Sequence, residues 1–210
     1  CNAIEKSKDI LFFKDGEQYY SRKISAYSNK DDSYLVERFI NPDKYKEYTL
    51  EEYVTGKAKG FESKQWLLIA AGQAGKTYEA RKLYSLLKED ESDVFPFFFE
   101  AKMFNHKHEL IIPHFWQSNH IVYIIDGYDE ISSEELREKF LIEITTLQRK
   151  YPELRIVITC RRNFIANEKV LTDFQRLYLE DLRFDDVKSI IKQSGIDHQE
   201  AFLRQIEENN

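Results

Sequence analysis

Cysteine is scarce in this sequence, and no long apolar run is present. Of its 210 residues only two are cysteines, Cys1 and Cys160. Two cysteines cannot build a framework of disulfides, so we expect a reducing, cytoplasmic location. No stretch approaches the roughly 18 apolar residues of a membrane span, and the start of the chain has no signal-like segment, so we expect no membrane partner.

The sequence also lacks an excess of basic residues. Its formal net charge of −6 argues against a nucleic-acid surface spread over the whole body and leaves a local basic patch open. Hydrophobic residues make up 42% and aromatic residues 14%, which excludes a disordered chain. We therefore expect a folded protein with no direct nucleic-acid signal.

The two ends indicate that the chain is a piece of a longer protein. It begins with Cys1, and a helical pattern over residues 199–210 continues to its last position. A lipidation cysteine is the alternative explanation of Cys1. We predict an N-terminal appendage of unknown role over residues 1–58, a main domain over 59–182, and the start of a helical part over 183–210.

From Trp66 onward, apolar strands alternate with amphipathic helices. This alternation is typical of an α/β domain whose mainly parallel sheet is covered on both faces. Pro96 places the second strand of this series near a strand start or at the sheet edge. Ser132 with Glu135 predicts a capping box for a helix through Lys150. Short apolar pieces before Trp66, with turn signals at residues 14–17 and 41–43, predict a small β-rich appendage.

The stretch from Trp66 to Thr77 has the pattern of a buried strand, a glycine turn and a helix start. Small residues in the turn free backbone N–H groups to converge on phosphate oxygens, while a lysine neutralises charge and a hydroxyl binds Mg²⁺. The residues that supply these groups are Gly72, Gln73, Ala74, Gly75, Lys76 and Thr77. The full pattern, G-x-x-x-x-G-K-S/T, has glycine where this chain has Ala70, whose methyl is expected to add strain of order 1 kcal/mol. An ordinary βα turn is the alternative, although a lysine at a helix start favours a nearby anion.

A second polar group follows the apolar strand that ends at Ile125. Asp126 stands at the carboxyl end of this strand, where open α/β sheets bind ligands, and can hold Mg²⁺ beside phosphates. Gly127 lets the chain turn at once, so that Asp129 or Glu130 can orient or deprotonate a water, with Glu130 favoured. An acidic turn that caps the next helix is the alternative. Three acids within five residues, however, repel one another unless cations occupy the site.

Three histidines, His106, His108 and His114, invite a metal interpretation. We consider ordinary surface positions the better explanation, because no cysteine lies nearby and no complete ligand set can be named.

The D-G-Y-D-E run at residues 126–130, about fifty residues after a G-K-T cradle, resembles the NACHT family of STAND nucleotide-switch ATPases, relatives of AAA+ proteins. A later strand that ends in Thr159, Cys160, Arg161 and Arg162 is similar to the family's T-S-R-P sensor strand. Cys160 stands for the family's serine and Arg162 for its proline. The resemblance implies a P-loop NTPase three-layer sandwich over residues 59–182 and the start of a truncated helical lid after it.

The resemblance also implies a function. Thr159 and Arg161 would read the γ-phosphate of ATP, with ATP or ADP and Mg²⁺ as cofactors, or Arg161 would act across an interface. Hydrolysis would be slow, a timer for a switch that controls self-assembly of a larger protein with sensor and effector domains elsewhere. A bias toward Lys, Ile, Tyr, Phe and Asn suggests an AT-rich bacterial genome, and the resemblance implies that a bacterial member of the family serves in signalling or antiphage defence.

Two other interpretations remain open from the sequence. A degenerate pseudo-ATPase that acts as a protein-interaction scaffold would retain the fold and lose nucleotide handling, which Ala70 and the altered T-C-R-R strand favour. An unrelated P-loop GTPase or small-molecule kinase is weaker, because no N-K-x-D base reader follows a later strand and no acceptor site is visible.

Overall fold

The computed structural model describes residues 22, 24–27, 48–89, 94–107, 110, 112, 120–165, 171, 173–179, 182, 184–193 and 203–204. The strands are β1 Ile24–Tyr27, β2 Gln65–Ala70, β3 Phe95–Glu100, β4 Ile121–Asp126, β5 Arg155–Arg161 and β6 Gln175–Leu179. The helices are α1 Leu50–Val54, α2 Lys76–Glu89, α3 Glu134–Lys150, α4 Arg162–Ile165 and α5 Phe184–Gln193.

The six strands form one sheet in the order β1-β6-β2-β5-β4-β3, in which only β1 runs antiparallel to its neighbour. Strand β5 therefore lies between β2 and β4 and pairs with both. Because the carboxyl ends of parallel strands lie at one edge of a sheet, the turns after β2, β4 and β5 meet there. That edge carries the polar residues that the sequence singles out.

Side chains of the sheet enter two apolar cores, one on each face. From β2, Leu67 and Ile69 enter the core that contains Phe140 of α3, whereas Leu68 enters the core that contains Leu83 of α2. Strand β4 is buried along its whole length, as expected for a central strand covered on both faces. The predicted fold class, a three-layer sandwich with a mainly parallel sheet, is confirmed.

The predicted elements agree with the structure to within a few residues. The helix after the cradle is amphipathic, as predicted, and its buried apolar residues include Ala80, Leu83, Tyr84 and Leu87. Strand β3 is the last strand in the sheet order and has Pro96 as its second residue, as predicted. The predicted capping box at Ser132 is wrong by one residue, because Ser133 is the N-cap and its hydroxyl accepts from the Leu136 N–H at 3.2 Å.

Strand β1 and helix α1 come from the predicted N-terminal part. Strand β1 pairs with β6, with Ile24 opposite Leu179, and α1 buries Leu50, Tyr53 and Val54 in the α2-side core. The turns predicted at residues 14–17 and 41–43 lie outside the described residues, and the divisions at residues 58 and 182 stay predictions. Within the described part of the chain, no helix is both long enough and apolar enough to cross a membrane.

Candidate functional site

The loop between β2 and α2 contains two left-handed backbone positions. Gln73 has a φ of 61° and Gly75 a φ of 92°. Ala70, at the first glycine position of the pattern, is the last residue of β2 and does not have a positive φ. The strain expected for the Ala70 methyl is therefore absent, because the chain leaves the strand in extended geometry and turns three residues later.

Lys76, the first residue of α2, folds back over this loop. Its Nζ donates to the Ala71 carbonyl oxygen at 2.7 Å and to the Ala70 carbonyl oxygen at 3.4 Å. Burial lowers the pKa of the Lys76 ammonium, and the nearby Asp129 carboxylate opposes part of this shift. The lysine thus brings a positive charge to the loop, close to the acids that follow β4.

The carboxyl end of β4 is tied to β5 through one hydroxyl. Thr159 is fully buried, donates from Oγ1 to Asp126 Oδ1 at 2.6 Å, and accepts from the Gly127 N–H at 2.8 Å. Gly127 has a φ of 78°, which lets the chain turn as predicted. Because Thr159 has a single O–H, it cannot donate to a phosphate while it donates to Asp126.

The next two acids have different surroundings. Both carboxylate oxygens of Asp129 bind Arg161: Oδ1 accepts from the backbone N–H at 3.0 Å and Oδ2 pairs with Nε at 2.8 Å. The Asp129 side chain is only 5% exposed, whereas Glu130 is exposed and its carboxylate has no hydrogen-bond partner among the described residues. The two acids are thus distinguished by their contacts with β5, because Asp129 binds Arg161 and Glu130 does not.

Two residues of β5 bind two of the three acids whose mutual repulsion the sequence predicted. The sequence suggested that bound cations must relieve repulsion among three carboxylates, whereas the structure gives Asp126 a hydrogen bond from Thr159 and Asp129 an ion pair with Arg161. Burial raises the pKa of the intervening Cys160 thiol to about 12, so this residue adds no charge near neutral pH.

These groups line one cleft of about 220 Å³. Its lining residues are Gln73, Gly75, Lys76, Thr77, Asp126, Gly127, Asp129, Glu130, Thr159 and Arg161. Of the residues predicted for the site, only Gly72 and Ala74 do not line the cleft. The roles assigned to these residues stay predictions, but the structure brings nine of the predicted eleven to one place.

Sequence reasoning missed one residue at the loop, Arg22. Its Nη1 donates to the Ala74 carbonyl oxygen across a separation of 52 residues. No local pattern around Arg22 indicates such a contact, because it depends on how β1 joins the sheet. His108 and His114 lie outside the described residues, and His106 is exposed.

This chain resembles known proteins in structure and not in overall sequence. A scan against models of protein families and a search of curated proteins found no match. Similar solved structures include the Orc1 protein of Aeropyrum pernix in complex with DNA, at 14% identity and a TM-score of 0.47. They also include the RuvB Holliday junction branch migration motor of Thermotoga maritima, at 16% identity and a TM-score of 0.41. The similarities cover 74% and 66% of this chain but 48% of the Orc1 chain and 45% of the RuvB chain, so the chain spans about half of either.

We predict that replacing Thr159 with valine lowers the free energy of unfolding by about 2–4 kcal/mol, because a buried N–H and a carboxylate oxygen lose their partner. Thr159→Ser is the control, since it retains the hydroxyl and should cost about 1 kcal/mol for the lost methyl group. Urea denaturation followed by circular dichroism measures both. Equal losses for the two variants would show that the hydroxyl contributes nothing.

Proposed function

We propose that this chain is the nucleotide-binding and slowly hydrolysing part of a switch that controls self-assembly of a larger protein. The observation that carries the proposal is the cleft in which the loop before α2 faces the acids after β4, with residues of β5 between them. A loop with free N–H groups and a lysine is suited to phosphates, and an adjacent carboxylate is suited to Mg²⁺.

The loop side of the cleft would hold the phosphates of ATP or ADP. Lys76 supplies the positive charge, and the first N–H groups of α2 have no partner inside the helix and point out of its start. Gln73 and Gly75 line the cleft with Lys76, and Gly72 and Ala74 belong to the same turn. Gly72, Ala74 and Gly75 have little or no side chain, which lets a phosphate approach the backbone closely.

Thr77 of α2 and Asp126 of β4 would together hold Mg²⁺ beside the phosphates. Within the described residues no group of three or more His, Cys, Asp or Glu side chains is close enough to form a complete metal site. A hydroxyl and one carboxylate still fit Mg²⁺, which usually binds one or two protein oxygens together with phosphate and water oxygens. When bound there, Mg²⁺ neutralises charge on the phosphates, and Thr159 keeps the Asp126 carboxylate oriented toward it.

Glu130 is the best candidate to orient and deprotonate the attacking water. Asp129 was the other candidate, but both of its oxygens bind Arg161 and its side chain is almost fully buried. Glu130 lines the cleft and remains exposed. We therefore assign Asp129 to holding Arg161, and Arg161, whose side chain is 52% exposed, to sensing the nucleotide or a neighbouring subunit.

The finer biological role is supported by the sequence resemblance to NACHT proteins alone. On that basis the hydrolysis is a timer, and nucleotide exchange releases a lid and permits assembly of effector domains that lie outside this chain. Cytoplasmic signalling or antiphage defence in a bacterium is the corresponding proposal. The competing proposal is a pseudo-ATPase scaffold, which Ala70 and the altered T-C-R-R strand favoured. Because Ala70 lies in β2 without a positive φ, it no longer supports that proposal.

The first experiment is titration of a fluorescent ATP analogue with and without Mg²⁺. We expect Mg²⁺-dependent binding by the unmodified chain and a 10–100-fold loss, roughly, in Lys76→Ala, which lacks a charge-assisted hydrogen bond. Asp126→Ala should bind equally with and without Mg²⁺. Lys88→Ala is the matched control, because it removes the same charge about 18 Å away at the other end of α2. No binding by the unmodified chain at millimolar nucleotide would favour the scaffold.

A second experiment separates the two acids. Glu130→Gln should retain nucleotide binding and lower the rate of phosphate release by about 10²-fold or more, because a positioned general base is lost. Asp129→Asn should lower that rate less and weaken nucleotide discrimination through Arg161. If the Asp129 variant instead loses hydrolysis and the Glu130 variant retains it, the two roles are reversed.

A further inference from the structure

Arg22 binds the loop from outside both sequence motifs. Arg22 lies two residues before β1 begins, and its Nη1 donates to the Ala74 carbonyl oxygen. The same nitrogen would lie 3.0 Å from a Cβ atom added to Gly75. The guanidinium therefore lies against one side of the loop, at the peptide that joins Ala74 to Gly75.

This contact fixes the direction of an N–H group. In a trans peptide the carbonyl of one residue and the N–H of the next point in opposite directions. A guanidinium that holds the Ala74 carbonyl therefore turns the Gly75 N–H away from Arg22. Gly75 lines the cleft, and no described residue accepts a hydrogen bond from its N–H. Within the described part of the chain, the N–H is therefore available to an acceptor on a ligand.

The position of Arg22 is secured by the strand that follows it. Ile24 is fully buried, pairs with Leu179 of β6, and donates from its N–H to the Tyr48 carbonyl oxygen at 2.8 Å. The Tyr53 hydroxyl donates to the Ile24 carbonyl oxygen at 3.0 Å. Because the backbone two residues away is bound on both sides, the arginine reaches the loop from a fixed base.

Arg22 also acts on a buried ion pair of α2, which gives its position a purely structural explanation. In α2, Lys82 Nζ lies 3.7 Å from Glu79 Oε2, and both side chains are almost fully buried. Burial raises the pKa of Glu79, and the charges of Lys82 and Arg22 oppose that shift. Arg22 could therefore contribute to stability as a second countercharge for Glu79, without any effect on a ligand.

We propose that Arg22 is a positioning residue for nucleotide binding, which presents the Gly75 N–H to a phosphate oxygen by holding the Ala74 carbonyl. The inference rests on the proposed function of the cleft and extends it to the N-terminal part of the chain. A segment with no nucleotide motif would then set the affinity of the loop.

The test measures the affinity of the full chain for MgATP and for inorganic tripolyphosphate by calorimetry. Arg22→Met retains length and removes the donors, and we expect about tenfold weaker binding of both ligands. Arg22→Lys retains one donor and should recover part of the loss. Lys64→Met is the control, since it removes a positive charge from an exposed pair with Glu153 at the amino end of β2. It should change affinity by less than about twofold.

The Gly75 amide resonance in a ¹H–¹⁵N spectrum gives an independent readout. Tripolyphosphate should shift it strongly in the unmodified chain and weakly in Arg22→Met. If Arg22→Met is less stable yet binds both ligands as tightly as the unmodified chain, Arg22 is only a countercharge and the inference is overturned. If the unmodified chain binds neither ligand, the proposed function itself fails, and the role of Arg22 fails with it.

Discussion

The hydroxyl of Thr159 is the contact on which the candidate site depends. It joins Asp126, at the end of β4, to β5, which in turn pairs with β2, the strand that leads into the loop. Strand β5 therefore lies between the strand that leads into the loop and the strand that ends at the acids. Neighbouring strands of a sheet are about 4.8 Å apart, so β5 sets the distance between the loop and the acids. A single buried oxygen also satisfies the Gly127 N–H, so the turn that carries the other two acids starts from a fixed point. Loss of this oxygen would disturb the acids while leaving the loop intact.

Three neighbouring acids are kept in three different environments by the same strand. Asp126 accepts a hydrogen bond from a neutral hydroxyl, and Asp129 is paired with a cation. Glu130 lines the cleft, and its carboxylate has no hydrogen-bond partner among the described residues. This arrangement lowers the repulsion among the three carboxylates and gives each one different surroundings. The pairing of Asp129 with Arg161 also couples the end of β5 to the acidic turn. A charge that attracts Arg161 would compete with Asp129 and so act on the residue beside Glu130.

Much of this architecture could be predicted, because its signals are local. The glycine loop, the strand that ends at Asp126 and the buried face of α2 each follow from residue types at fixed spacings. Contacts between distant segments could not be predicted in the same way. The family resemblance predicted that Thr159 and Arg161 read a nucleotide, but it could not show that both bind acids at the end of β4, because that depends on the strand order. Arg22 was missed because its contact with Ala74 requires β1 to pair with β6. Strain was predicted at Ala70 because the sequence pattern does not show which residues of the loop have a positive φ.

The central claim is that a nucleotide on the loop and the Asp126 carboxylate share one divalent cation. Electron–nuclear double resonance on the chain with ATP and Mn²⁺ in place of Mg²⁺ tests this directly, with ¹³C-labelled aspartate as the probe of the protein ligand. We expect ³¹P and ¹³C couplings on the same Mn²⁺, and loss of the ¹³C coupling alone in Asp126→Asn. A bound Mn²⁺ without ³¹P coupling, or an unchanged ¹³C coupling in the variant, would contradict the account.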